Sequence, residues 1–158
     1  MRPIAVSTLA VTVLLAAATP AVATAPTAPR EPSLTGSVRL KTTTEAELDF
    51  TIDARGVDQA ARGTFRIRHK EGGEEASFTG EVDCLQVGGQ VAVMTGRVTW
   101  ASDPRMPLGV RIGLTVHDQG RHDRLGASWQ LAHMGDLPPC TGMAPMSETA
   151  SGNFTVRG

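Results

Sequence analysis

Between residues 33 and 103 the chain contains no proline, and over much of that stretch apolar and polar side chains alternate one for one. A strand points successive side chains to opposite faces, so a period of two marks half-buried β-structure. Proline lacks the N–H that a ladder requires, so a proline-free run of this length outlines the inside of a sheet. Pro104 and Pro107, then Pro138, Pro139 and Pro145, set off two loops.

The register is legible in places. In 45–53 the side chains of Ala46, Leu48, Phe50 and Ile52 share one face, and Glu45, Glu47, Asp49, Thr51 and Asp53 share the other. In 64–70, Phe65, Ile67 and His69 face one way, and Thr64, Arg66, Arg68 and Lys70 the other. An acidic outer face beside a basic one suits neighbouring strands. Gly72-Gly73 is a two-residue hairpin signal. That turn opposes Lys70 to Glu75, Arg68 to Ser77 and Arg66 to Thr79, with Ile67 against Phe78 and Phe65 against Gly80 inside.

The next strand, 75–85, would turn Ala76, Phe78, Gly80, Val82 and Cys84 inward. A strict two-residue loop at Gly88-Gly89 would bury Arg97. The apolar set Ala92, Met94, Gly96, Val98 and Trp100 makes the better core, so a bulge or odd loop is expected. Leu108, Val110, Ile112, Leu114 and Val116 define another strand, and Leu125, Ala127, Trp129 and Leu131 one more. Residues 34–41 open the domain, and 153–157 close it with Phe154 and Val156. Helix is confined to a turn at 57–62. The fold class is therefore all-β: one antiparallel domain of about eight strands, a closed up-and-down barrel or a sandwich. The barrel is favoured because pairing the first and last strands removes both edges.

The N-terminus reads as an address. Met1-Arg2 precedes an uncharged run from Ile4 to Ala18, and Ala21-Val22-Ala23 fits a signal-peptidase site, with cleavage after Ala23. Fifteen helical residues rise about 22 Å, short of the roughly 30 Å hydrocarbon core. Residues 24–33 form a Pro/Thr/Ala linker, and 34–158 the domain. No later run is long enough to span a membrane, so the mature chain is expected to be secreted or held at the cell surface. Cys84 and Cys140 are the two cysteines. In an oxidising compartment they read as one disulfide, the other reading being two separate buried thiols.

A formal charge of -1 and only 4% aromatic residues argue against a nucleic-acid partner, which needs a basic footprint and stacking rings. The run Val87-Gly88-Gly89-Gln90-Val91-Ala92-Val93-Met94-Thr95-Gly96-Arg97-Val98 has a character of its own, as do Val116-His117-Asp118-Gln119-Gly120 with Asp123, and Ser151-Gly152-Asn153-Phe154-Thr155-Val156. Together they resemble a small exported β-module of high-GC Gram-positive bacteria, found as uncharacterised secreted proteins and sometimes attached to cell-surface proteins. Gln90 and Gln119 stand where that family usually has Asn. The resemblance implies a fold and a location and carries no activity.

Chemistry is sparse. Glu45, Glu47, Asp49 and Asp53 could make a calcium or acid–base row, but Arg66, Arg68 and Lys70 are placed to neutralise them. His117, Asp118, His122 and Asp123 could hold a transition metal, but their spacing matches no metal motif, and an Asp-x-Gly turn uses its Asp on its own backbone. No nucleophile elbow, phosphate loop or His-Glu-x-x-His occurs. No catalytic residue, cofactor or metal is therefore assigned, and the chain is expected not to be an enzyme. His69 is the one ionisable group expected on the inner face, near a strand end at the rim of the core, and so the residue to watch in a ligand cavity. The segment 132–150 carries Met134, Met143, Met146, three prolines and Cys140, and reads either as a partner-binding loop or as a lid whose methionines fill the core.

The leading expectation is a monomeric, non-catalytic binding or structural module. Three alternatives stand beside it. One is a carrier of a small apolar ligand, with room left by Gly80, Ala92 and Gly96; another is an isomerase- or cyclase-like barrel using His69; the third is a protease inhibitor acting through 132–150.

Overall fold

A computed structural model describes residues 30–129 and 136–158 of the chain. The cleavage site after Ala23, linker residues 24–29, Leu131 and Met134 lie outside the described residues. Eight strands follow one another: β1 (Ser33–Leu40), β2 (Glu47–Arg55), β3 (Arg62–Glu71), β4 (Glu74–Gly88), β5 (Val91–Ala101), β6 (Arg111–His117), β7 (Arg124–Trp129) and β8 (Ser147–Arg157). Each pairs antiparallel with the next, and β1 pairs with β8, so the sheet closes into a barrel. No described residue is helical; 57–61 is a turn in which Asp58 exchanges backbone hydrogen bonds with Leu85 at 2.7 and 3.1 Å, and Arg62 already belongs to β3.

The β3–β4 hairpin has the register that its side chains demand, with Lys70 opposite Glu75, Arg68 opposite Ser77, and Ile67 opposite Phe78. Its inner face joins one continuous core in which Phe50, Phe65, Phe154, Met94 and Leu114 are fully buried. The buried ring of Phe65 packs directly over Gly80 and Gly96. A Cβ built on Gly80 would overlap its Cζ, and one on Gly96 would come within 2.7 Å of its Cε1. The space beside these glycines is thus filled by Phe65 and is not the ligand room that the sequence suggested.

Two bulges reset the β4–β5 pair. One lies between Val82 and Cys84, the other opposite Thr79/Gly80, where Thr79 faces Trp100 and Gly80 faces Val98. The turn itself is tight, with Gly88 opposite Val91. A bulge adds one unpaired residue, so every side chain beyond it changes face. Ala92, Met94, Gly96 and Val98 therefore keep the inner face, and Arg97 stays outside opposite Glu81. Two sequence expectations fail here. Leu85 enters the core in place of Cys84, which lies on the outer wall opposite Thr95, and Trp100 turns outward to 51% exposure. Leu108 also departs from its expected strand; it sits in the β5–β6 loop at 65% exposure, and β6 begins at Arg111.

Cys84 and Cys140 form a disulfide with 5.2 Å between Cα atoms. The outer position of Cys84 decides where the 136–146 segment runs: along the outside of β5, β6 and β7. The Cys140 amide donates to Thr95 Oγ1 at 3.1 Å, the Met143 amide donates to Ser128 Oγ at 2.9 Å, and Arg111 Nη1 donates to the Leu137 carbonyl at 2.6 Å. Gly113 and Gly126 let this strap approach, since a Cβ on either would strike the carbonyls of Thr141 or of Met143 and Ala144. The described part of 132–150 is therefore a strap on the wall. Its methionines do not fill the core: Met143 and Met146 are 44% and 66% exposed.

Candidate functional site: the open mouth of the barrel

The barrel opens at the end that carries the β1–β2, β3–β4 and β5–β6 connections. Two inner-face rows form one wall of the opening. Leu48, His69 and Ala76 are register partners across β2, β3 and β4. One step deeper, Ile67, Phe78 and Ala101 are partners across β3, β4 and β5. The β5–β6 loop supplies the facing wall, with Met106 half-buried against the core and Val110 buried. These groups, with Asp103, Arg105 and Leu108 of the loop, Arg97 on the outer face of β5 and Asp136 of the strap, line a cavity of about 1090 Å³ that is open to solvent and extends from the mouth over the rim.

The loop is held in shape by its own polar atoms. The Ser102 amide donates to the Ser77 carbonyl at 2.8 Å, and Ser102 Oγ accepts the Ser77 amide at 2.9 Å. Asp103 accepts the Arg105 amide at 2.8 Å, an Asx-type closure that starts the turn. The Ala101 position depends on the second bulge: without it, Trp100 would point into the mouth and fill it. The bulge empties the entrance.

His69 has the inner-face parity expected of it and stands at the rim, near the end of β3, where it is exposed. Its Nε2 is 3.7 Å from Glu71 Oε2, longer than a hydrogen bond. The four formal charges on the lining are paired. Arg97 Nη2 donates to Asp136 Oδ2 at 2.8 Å and its Nη1 to the Gly109 carbonyl at 2.6 Å. Arg105 holds Asp103 through Nη2–Oδ2 at 2.7 Å. Hydrogen bonding from Arg97 lowers the pKa of Asp136 below its ordinary value, and hydrogen bonding from Arg105 does the same for Asp103. Arg97, Asp103, Arg105 and Asp136 were not singled out as a group from sequence, because they come from β5, one loop and the strap.

The other polar clusters have structural roles. Asp118 and Asp123 sit on the β6–β7 connection. Asp123 is fully buried and accepts the amides of Gln119 at 2.9 Å and Phe154 at 2.6 Å, while Asp118 accepts those of Gly120 at 3.1 Å and Val156 at 3.0 Å. The two carboxylates are thereby directed at backbone amides, and His122 is exposed. No group of three or more potential metal ligands occurs among the described residues. The acidic row of β2 resolves into ion pairs on the outer wall. Asp49 accepts Nε–H from Arg39 at 2.7 Å and from Arg68 at 2.9 Å, and Glu47 lies 2.9 Å from Arg39.

No helix among the described residues is long and apolar enough to cross a membrane. Comparison with protein-family models, with curated proteins and with solved structures finds no match for this chain.

Proposed function

We propose that this protein acts by binding, as an exported, non-catalytic barrel that takes up a small apolar molecule in its open mouth. The observation that carries this reading is the apolar cavity bounded by Leu48, Ile67, Phe78, Ala101 and Met106 at one end of a closed barrel. Small-molecule sites are concave, mostly apolar and furnished with a few polar groups, and they occur in the mouths of β-barrels. The core below the mouth is packed, with Phe65 filling the space beside Gly80 and Gly96, so a ligand would occupy the mouth alone, with His69 at the rim to hydrogen-bond its polar end. The Cys84–Cys140 disulfide is consistent with an extracellular protein, and so supports the export suggested by the N-terminal sequence and by the resemblance to secreted bacterial β-modules.

The test is native mass spectrometry of the protein recovered from culture medium, alongside an Ala101→Trp variant. The indole at 101 would fill the entrance. An adduct of constant mass in the wild type, absent from the variant, supports the reading. An adduct that persists in the variant, or a wild type that is empty and takes up no apolar probe, ends it.

A further inference from the structure

The outer wall carries a second constellation, apart from the mouth. We propose that β3, β4 and β5 bind an acidic glycan on their outer face: Trp100 stacks on the apolar face of one sugar ring, and Arg66 holds a carboxylate on a nearby ring.

Trp100 is 51% exposed, whereas Phe50, Phe65 and Phe154 are buried. The β4–β5 bulge points it outward and sets it opposite Thr79. Thr79 is the register partner of Arg66, Arg66 of Thr51, and Thr51 of Ser37. One row of outward side chains thus runs from β5 to β1. Neighbouring strands lie about 4.8 Å apart, so Trp100 and Arg66 stand about 10 Å apart along the wall, a span that a short run of sugar rings covers while following its curve. Beyond Arg66 the row enters a groove of about 520 Å³, where Ser37 and Thr51 hydrogen-bond each other and Ser151 adds a third hydroxyl.

A sugar ring presents a face of C–H groups and an edge of hydroxyls. A rigid, exposed indole suits the face. Hydroxyl and guanidinium groups, which donate and accept at the surface, suit the edge. The charge of the ligand follows from Arg66. On β1, β2 and β3, Arg39, Arg55, Arg62 and Arg68 each hold a carboxylate of the protein. Arg66 is exposed and forms no ion pair among the described residues, and both of its register partners are threonines. Its planar fork is left to a carboxylate from outside, which guanidinium binds bidentately. The groove agrees in sign, since three guanidinium groups and two carboxylates line it.

Calorimetric titrations at pH 7 and low salt test the site. The acidic probes are hexasaccharides of galacturonate, of mannuronate and of hyaluronan, and the neutral probe is cellohexaose. The proteins are the wild type, Trp100→Ala, Trp100→Phe and Arg66→Gln, each compared with the wild type by circular dichroism and melting temperature. At least one acidic probe is expected to bind the wild type at least about tenfold more tightly than cellohexaose. Trp100→Ala should weaken that binding at least about tenfold, and Trp100→Phe should recover part of the loss. Arg66→Gln should bring the acidic probe down to the neutral one, and raised salt should narrow the same preference in the wild type, because the contact is exposed. The inference is overturned if no acidic probe binds, if cellohexaose binds as tightly as the acidic probes, or if binding survives unchanged in folded Trp100→Ala or Arg66→Gln.

Discussion

The buried carboxylate of Asp123, between β6 and β7, accepts the backbone amide of Phe154 in β8 at 2.6 Å. This bond stands where a strand-to-strand bond would be expected. β7 and β8 share only two ladder pairs, Arg124 with Glu148 and Leu125 with Ser147. Beyond them, Asp123 and Asp118 take the amides of Phe154 and Val156, and the Asp123 carbonyl accepts the Thr149 amide at 3.0 Å. Side-chain acceptors thus complete the short β7–β8 seam. Asp123→Ala is expected to cost about 3 kcal/mol, because it leaves two amides without their charged acceptor. Asp123→Asn, which keeps one acceptor oxygen, should cost less. Urea unfolding of the two variants measures both, and equal losses would remove the acceptor explanation.

The disulfide holds the strap more than the barrel. The core groups lie inside the wall, whereas Cys84 and Cys140 meet outside it, so the strands can pair without the bond. The Cys84→Ala/Cys140→Ala double variant is expected to lose about 4 kcal/mol in the chain-entropy account, given a separation of 56 residues. It should still show the far-ultraviolet spectrum of a β-protein. Limited proteolysis should then cut within 136–146, where the oxidised protein resists; identical digestion of both forms would disprove the role of the bond as a clamp.

Asp49 gives the outer wall an acid-sensitive contribution. Hydrogen bonding from Arg39, with Arg68 adding to it, lowers the pKa of its carboxyl below the ordinary value. A group whose folded pKa is lowered stabilises the fold above its unfolded pKa, about 3.9 for Asp, and that stabilisation is lost as pH falls through the folded value. Asp49→Asn should therefore melt below the wild type at pH 7. The two melting curves should converge as the pH drops below about 4. A gap that stays constant down to pH 2.5 would mean that Asp49 acts through something other than its charge.

Phe65 and the two glycines beneath its ring form a single packing unit. Gly80→Ala or Gly96→Ala would push a methyl group into the ring and adjacent backbone, and each is expected to destabilise by about 1–3 kcal/mol. Phe65→Leu should relieve part of the cost of Gly96→Ala, since Phe65 Cε1 is within 2.7 Å of the added carbon. A double-mutant cycle from denaturant unfolding reads the coupling directly. Additive losses would show that the backbone, and not the ring, resists the methyl group.

Much of the fold could be read from side-chain periodicity. The β3–β4 hairpin was doubly specified, by the Gly72-Gly73 turn and by the charges of 66–70 against 75–79, and both signals required one register. The inner faces of β2, β3 and β6 followed from alternation, because burying the polar face of any of them would expose its apolar one. The candidate site was far less legible. Of its groups, only His69 was marked in advance as a possible ligand contact, on the inner face near a strand end, and that is where it stands. A residue at the last turn of a strand has the inner parity without the inner environment, and nothing in local sequence says where the barrel wall stops.

The sequence by itself determined an all-β chain, its hairpins and most of its core, since each of these rests on contacts between neighbours in sequence or on alternation along one strand. Tertiary structure alone decided which way Cys84 and Trp100 point, because a bulge is selected by how two strands fit each other and around a closed wall. One inserted residue at Asp83 sends Cys84 outward, and so carries the strap to the outer face; a second at Thr99 turns Trp100 out and leaves Ala101 at an open entrance. The β7–β8 seam also placed Asp123 beneath Phe154, and the strap brought Asp136 to Arg97 across 39 positions of chain, distances over which periodicity carries no information.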